Sequence, residues 1–503
     1  MSSRTYSVAM STQIHDALQG HLLRRDGQED LCFAIWHPSR GTRRTTALIS
    51  DLILPQTGDR KVHGNVSFLP AYFERALGVA MKAGAGLVLL HSHPGGTAWQ
   101  GMSLDDIRAE EGNAGAVLGA TSLPFVGLTI AGDGGWSARF WEKTAPHRFR
   151  RMDCTHVRVA GDKLRLTYND GLIPRSAFRE QLRRTTSSWG PGVQADLGRL
   201  HFGIVGAGSV GAIIAEGLAR TGISRLTLID FDGIEPHNRD RLLHASEAAA
   251  QARVSKVRNL EKALRDSATA EDFRVTTVEY GVGEEEGYRH ALDCDVLFSC
   301  VDRPLGRSIL NFIAYAHLIP VVDGGILVQR TPKKLLKGAE WRAHVAAPGR
   351  RCLSCLGQFD PGLVAADRAG QLDDLSYIER LPENHVIRQN ENVFAFSLGA
   401  AALQLNQALA MIVAPLDVAD PGAQLYHFTT GEIDIERKRQ CDATCSYPGL
   451  TALGEDTGLV VTAESKTAES ARESRAILAK TESGRDSSPL SKLRRFVARL
   501  FER

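Results

Sequence analysis

The chain has 503 residues, 43% of them hydrophobic and 23% charged, and a formal net charge of +2. That length exceeds what one hydrophobic core serves and implies two or three domains of ordinary globular composition. Charge so near balance excludes bulk nucleic-acid binding, and no run reaches the ~18 apolar residues of a membrane span. The start, "MSSRTYSVAMSTQIHDALQG", lacks a basic end followed by an apolar stretch, so no signal peptide and a cytoplasmic location are expected. Eight cysteines in such a chain read as metal ligands or buried thiols rather than a disulfide framework.

Residues 1–150 read as a mixed α/β domain. "YSVAM" is a strand and "STQIHDALQGHLLRR" an amphipathic helix opened by a Ser cap; "DLCFAIW" is a strand, "PAYFERALGVAMKAGA" a helix with Pro in its first turn, and "GLVLLHSHP" a buried strand. Residues 151–198 read as a bridge, with "HVRVAGDKLRLTY" a hairpin and "RSAFREQLRRTT" a helix broken by "SSWGPG". From 199 to 450, "LHFGIVGAGSVGAIIAEGLARTGISRLTLIDFD" is strand, glycine turn, helix and strand, followed by buried strands at "DVLFSCVD" and "IPVVDGG". That is an α/β doubly wound pattern. Residues 451–503 are rich in Ser, Thr, Ala and Glu and read as a flexible tail ending in a basic amphipathic helix, "LSKLRRFVARLFER". That last helix suits an acidic partner, a membrane surface or docking on its own protein.

The first cluster of chemical interest is "HSHPGGTAWQGMSLDD", residues 91–106. His91 and His93, two apart on a strand, share one face, and a short loop returns Asp106. Two imidazoles and a carboxylate make a zinc set with a fourth position left for water, whose pKa zinc lowers to about 7. Taken alone, the pair of histidines is equally a solvated polar turn. The full pattern, HSHP, eight residues, then Ser-x-x-Asp, resembles the JAMM (JAB/MPN) metallopeptidases over about residues 5–150. The resemblance implies zinc held by His91, His93 and Asp106, Ser103 supporting the tetrahedral intermediate, and an upstream glutamate as general acid/base. Glu29, before an apolar strand, is the candidate; Glu74, in the middle of a helix, is the competitor. The loop before Ser103 is about two residues longer than the family's usual one.

The second cluster is "GAGSVG", with Gly206, Gly208 and Gly211 between a strand and a helix N-terminus, and Asp230 ending the next strand. These suit a phosphate and a ribose, and alone they also allow a nicotinamide-dependent oxidoreductase. Asn238, Arg241 and Lys256 follow, cations that suit a triphosphate, and Asp302 ends a later strand where Mg²⁺ would sit. The set resembles the E1/ThiF/MoeB adenylating enzymes, with a Rossmann-like fold, over about residues 175–445. By that resemblance Asp230 binds the ribose of ATP, Asn238, Arg241 and Lys256 contact phosphates, and Asp302 holds Mg²⁺. The family usually works as a dimer and lends an arginine across it, for which Arg183 or Arg184 is available.

Cys352 and Cys355 in "CLSC", with Cys441 and Cys445 in "CDATC", read as a structural Cys₄ zinc site, which the same family carries. Cys32, Cys154, Cys294 and Cys300 read as core thiols. The thioester cysteine of ubiquitin-type relatives lies between the zinc pairs, and residues 356–440 contain no cysteine. Together the two resemblances imply a bifunctional enzyme: a zinc (iso)peptidase acting at the C-terminal glycine of a ubiquitin-like protein, and an ATP-dependent activator of that glycine. They also imply a bacterial conjugation or defence system, a homodimer, and an E2-like protein as a further partner. A sulfur-carrier protein is the alternative substrate, and a nonenzymatic scaffold is the alternative from another class.

Overall fold

The computed structural model describes residues 4–63, 65–382, 385–388, 391–457 and 466–486. The first half contains strands β1 (Thr5–Ser11), β2 (Leu31–Arg40), β3 (Arg44–Ile53), β4 (Arg60–His63), β5 (Asn65–Phe68), β6 (Gly86–His93), β7 (Phe125–Ala131), β8 (Trp136–Ala145), β9 (Arg148–Asp153), β10 (His156–Ala160) and β11 (Arg165–Tyr168). β4 and β5 form a separate hairpin, and the other nine make one sheet in the order β11-β10-β1-β3-β2-β6-β7-β8-β9. Helix α1 (Thr12–Leu22) is opened by Ser11, whose hydroxyl accepts the Ile14 N–H. It packs Leu18 and Leu22 on Val8, Cys32, Val88 and Leu90. Helices α2 (Pro70–Ala83) and α3 (Leu104–Thr121) pack Tyr72, Ala76, Ala114 and Val117 on Phe33, Leu87 and Leu89. Adjacent residues of β2 and β6 thus serve opposite faces, and both faces are buried.

The expected boundary at residue 150 is displaced. β9, β10 and β11 belong to the first sheet, and β10 pairs in parallel with β1, so the segment read as a bridge completes the sheet. The hairpin expected within it is the β10–β11 pair. Helices α4 (Arg183–Trp189) and α5 (Pro191–Arg199) then lead to the second half.

The second half runs β12 (His201–Val205), α6 (Ser209–Arg220), β13 (Arg225–Ile229), α7 (Glu247–Gln251), α8 (Lys256–Ser267), β14 (Arg274–Val278), α9 (Glu285–Leu292), β15 (Val296–Ser299), α10 (Pro304–Ala316), β16 (Val321–Arg330), β17 (Leu336–Ala346), α11 (Pro361–Arg368), α12 (Leu375–Arg380), α13 (Phe394–Val413), β18 (Ala423–His427), β19 (Ile433–Glu436) and α14 (Lys466–Asp486). Its sheet has the order β14-β13-β12-β15-β16-β17-β18-β19, parallel from β14 to β16 and antiparallel beyond. α6, α8 and α13 cover one face of this sheet, and α9 and α10 the other. The strand order reverses direction at β12, the crevice where doubly wound sheets bind ligands. Among the described residues one helix, α13, is long and apolar enough to cross a membrane by length and composition, which the sequence reading did not register. Here it packs on β16, β17 and α6, with Gln404 and Gln407 buried on its sheet-facing side.

The tail also differs from expectation. Residues 466–486 form helix α14, which docks through arginines on the second half, whereas a flexible segment was expected. The basic amphipathic helix expected at the end lies outside the described residues.

The halves meet around Asp295, which is 0% exposed and immediately precedes β15. Its carboxylate receives Arg44 of β3 at 2.5 Å, Arg158 of β10 at 3.2 Å and the His201 backbone N–H at 3.0 Å, with His156 Nε2 at 3.3 Å. Burial pushes this carboxyl up, but Arg44, His156 and Arg158 outweigh it and hold it well below the usual range. Burial likewise pulls His156 down to about 4, so that ring is neutral near pH 7. Asp293 accepts the Arg43 and Arg44 N–H groups, and a Cβ at Gly41 would lie 2.1 Å from its Oδ1, so only glycine fits there. Asp295→Ala leaves two buried guanidinium groups without their carboxylate. It is expected to lower the unfolding free energy by about 3–5 kcal/mol, measured by urea denaturation.

Candidate functional site

Strand β6 ends in His91-Ser92-His93. The loop that follows is pinned to the β7–β8 turn by Gly132 N–H to the Gly96 carbonyl at 2.9 Å and by Ala98 N–H to Asp133 at 2.8 Å. The chain then enters α3 through a capping box: Ser103 Oγ accepts the Asp106 N–H at 3.1 Å, and Asp106 Oδ2 accepts the Ser103 N–H at 2.8 Å. Asp106 therefore faces the histidines. His91 Nε2 and His93 Nε2 are 3.2 Å apart, and Asp106 Oδ1 and Oδ2 each lie 3.5 Å from one of them. Ligands at 2.0–2.1 Å from a tetrahedral zinc lie about 3.3 Å from one another, so this triangle fits such an ion. Burial pushes the Asp106 carboxyl up, but hydrogen bonds from His91 and His93 prevail and hold it well below the usual range.

The start of β2 runs alongside the end of β6. Leu31 pairs with His91. Glu29 lies two residues before β2 begins, half-buried in the segment that leads into that pair. Glu74 is exposed on α2, away from that pair. Asp30, the neighbour of Glu29, meets Ser92. Its N–H donates to Ser92 Oγ at 2.9 Å, and its buried carboxylate receives Arg24 and, at 2.6 Å, Arg60. Beneath the site, Arg139 of β8 pairs with the fully buried Glu110, one turn after Asp106 on α3, and also donates to Thr129 at 2.7 Å. Trp141 donates to Glu110 at 2.7 Å, and a Cβ at Gly127 would meet its carboxylate at 2.3 Å. Sequence reading missed Asp30, Glu110, Arg139 and the capping role of Ser103. Only the last had a local signal, the Ser-x-x-Asp spacing itself.

The second cluster sits at the C-terminal ends of β12, β13 and β15. Gly206 has φ +96°, and a Cβ there would meet the Cys300 carbonyl at 2.4 Å; one at Gly211 would meet the Gly206 carbonyl at 2.0 Å. Nothing lies within 4 Å of a Cβ built at Gly208, the N-cap of α6, which leaves room for a phosphate at that helix N-terminus. Asp230 Oδ2 accepts the Ala207 N–H at 2.7 Å and Oδ1 the Asp232 N–H at 2.8 Å, so this carboxylate braces the glycine turn. Burial pushes its pKa up to about 6, against the pull of Lys256. Lys256, first residue of α8, bonds Asp232 at 2.8 Å and feels Asp230 and Asp302 as well. Asp302 is exposed beyond β15. Asn238 Oδ1 accepts the Glu235 N–H at 3.0 Å, and Arg241 is held by the His237 carbonyl and Asp240, both at 2.8 Å. These two are thus turned to local partners. Arg183 and Arg184 are exposed on α4. Asp232 was not anticipated, although "DFD" offered two carboxylates in place of one.

The four late thiols also meet. Cys352, Cys355, Cys441 and Cys445 have their sulfurs within 4.8 Å of one another, with Cys352 and Cys445 at 3.6 Å. Zn–S bonds of 2.3 Å imply S···S edges of about 3.8 Å. The backbone N–H groups of Cys352, Cys355 and Asp442 donate to these sulfurs at 3.3–3.4 Å, an arrangement that could hold a metal ion. Cys32, Cys154 and Cys294 are buried thiols, and Cys300 is partly buried.

A doubly wound sheet with a glycine turn, strand-end carboxylates and a lysine defines a nucleotide-site class of protein. The ThiF family model matches residues 179–441, more than half of the chain, and the chain belongs to the ThiF family. It is 34% identical over 120 residues to ubiquitin-like modifier-activating enzyme 5 of Branchiostoma floridae, covering 22% of this chain and 28% of that one. It is 31% identical over 159 residues to tRNA threonylcarbamoyladenosine dehydratase of Escherichia coli K12, covering 31% of this chain and 56% of that one. The chain thus spans about a quarter to about half of the length of these curated relatives. Among solved structures it is similar to E. coli MccB with AMPCPP and MccA, at 17% identity and a TM-score of 0.41, covering 53% of this chain and 74% of that one.

Zinc analysis of the purified chain is expected to find two ions. His91→Ala should remove one and Cys352→Ser the other; one variant that removed both, or neither, would contradict two separate sites.

Proposed function

We propose that the chain is a bifunctional enzyme of a ubiquitin-like pathway, an ATP-dependent activator of a C-terminal glycine joined to a JAMM-type zinc (iso)peptidase. The observation that carries the activating half is the convergence of Lys256, Asp230, Asp232 and Asp302 beyond the strand ends, beside the open turn at Gly208. In the reaction a carboxylate oxygen of the substrate attacks the α-phosphorus of ATP, an acyl adenylate forms, and pyrophosphate leaves. Asp230 orients the ribose. Lys256 and the helix N-terminus at Ser209 lower the cost of charge building on the phosphates. Asn238 and Arg241 join them once released from their local partners. Mg²⁺, when bound at Asp302, neutralises phosphate charge.

The peptidase half is supported by the histidine–aspartate triangle, with Glu29 two residues before the strand that pairs with His91. Zinc, when bound there, supplies a Lewis acid that makes water nucleophilic near neutral pH. Glu29 takes the proton of the attacking water and returns it to the leaving amine. The Ser103 hydroxyl, whose oxygen accepts the Asp106 N–H, keeps its own proton to donate to the developing oxyanion.

The substrate of the second reading is a sulfur-carrier protein, favoured by the absence of cysteine from residues 356–440, which leaves no thioester nucleophile between the thiol pairs. The relative named as a tRNA threonylcarbamoyladenosine dehydratase adds a substrate that is not a protein as a further class. An E2-like partner and a homodimer accompany the first reading.

With ATP and a glycine-tailed protein, the chain is expected to exchange pyrophosphate into ATP, and Asp302→Ala to abolish the exchange. Exchange with a free amino-acid carboxylate alone would favour the small-molecule class. Glu29→Gln is expected to lose roughly 10²-fold or more of cleavage on a C-terminally extended precursor while keeping its zinc; retained cleavage would assign the base elsewhere.

A further inference from the structure

Helix α14 arrives at the nucleotide crevice from nearly two hundred residues beyond it in the chain. Ala468, Arg472 and Arg475 follow an i, i+4, i+7 spacing on one face, and Ala468 is fully buried. Arg472 bonds Glu284 at 2.8 Å and the Glu279 carbonyl at 3.2 Å, and lies 4.3 Å over the Tyr280 ring. Glu284 in turn accepts the Gly281 N–H at 2.6 Å, so the whole turn after β14 is fastened to the helix. Arg475 donates to the Phe231 carbonyl at 2.6 Å and to Glu279 at 2.9 Å.

Those two acceptors are particular ones. Phe231 stands between Asp230, which braces the glycine turn, and Asp232, which holds Lys256. The other oxygen of Glu279 accepts from Arg258, two residues after Lys256 on α8. One guanidinium therefore grips the strand-end segment that bears both carboxylates, and reaches the lysine helix through a single carboxylate. Burial pushes the Glu279 carboxyl up, but Arg258 and Arg475 prevail and hold it below its ordinary value, so it stays charged between them. A charge-assisted pair of this kind is stronger than a neutral hydrogen bond, and Arg475 is largely sheltered from water.

We propose that Arg475, backed by Arg472, is a positioning residue for nucleotide binding. From α14 it sets the Asp230–Asp232 segment and, through Glu279 and Arg258, the helix that carries Lys256. The inference rests on the reading of this crevice as an ATP site. Its mechanism is pre-organisation: an Asp230 held in place loses less freedom when the ribose arrives.

The test is calorimetric titration of the full-length chain with Mg·ATP. Arg475→Ala is expected to raise the Kd about tenfold, and Arg475→Lys, which keeps a charge and a donor, to fall between the two. Hydrogen exchange without ATP should speed up at residues 231–234 in Arg475→Ala and stay unchanged in β1 and β3, a local effect that general destabilisation would not give. An unchanged Kd, or exchange that rises equally throughout, would overturn the proposal. Failure of the parent chain to bind Mg·ATP would instead overturn the nucleotide-site reading itself.

Discussion

One carboxylate sets the geometry of the molecule. Asp295 has no access to water, and three basic side chains and a backbone amide surround it, all three side chains from the first sheet. A buried charge is tolerable only when fully paired, so the two sheets cannot separate or slide without exposing unmatched ions. Further fastenings ring it. Glu455 receives Arg40 and Arg289, Asp456 receives His37, and Ser39 meets His317. A small apolar seam of Ala9, Leu48, Ala160, Leu318 and Ala452 closes the joint. The halves consequently behave as one body, and each sheet is anchored by its inner strand ends.

The outer strand ends are where reactive groups gather, and both halves assemble them in the same way. A buried strand stops, a short loop turns, and a helix begins with its N–H groups aimed at the gap. β6 delivers the histidines and α3 begins with Asp106 in its first turn; β12 delivers the glycine turn and α6 begins at its edge. Side chains placed on such elements are held by core packing rather than by the loops. Gly127 and Gly211 show how close that packing is, since each has space for a neighbouring carboxylate or carbonyl and none for a methyl group.

What the sequence disclosed follows from range. His91, His93, Ser103 and Asp106 lie within sixteen residues, and Gly206, Gly208, Gly211 and Asp230 within one βαβ unit, so strand alternation and turn chemistry expose them. The thiol pairs were legible for the same reason, each being short and polar in context. Glu29 was reached only through family likeness, since nothing in its own neighbourhood sets it apart from the other acidic residues. Glu110–Arg139, Asp295 and the α14 arginines depend on partners 29 to 251 positions away, a distance at which no local period operates. The boundary at 150 failed similarly: β10 looks like a detached hairpin strand until it is paired with β1. The tail misled through composition, because a helix held by ion pairs and one small buried alanine has few large apolar residues to announce it.

Strand β2 links the first cluster to the joint between the halves. It meets His91 at its start, through Leu31, and the second half at its end, through Arg40, a run of ten residues or about 30 Å. β15 repeats the arrangement in the other half, with Asp295 at the joint and Asp302 at the far end. The two clusters therefore stand at strand ends away from the joint, and neither draws a residue from the ion pairs that hold the halves together.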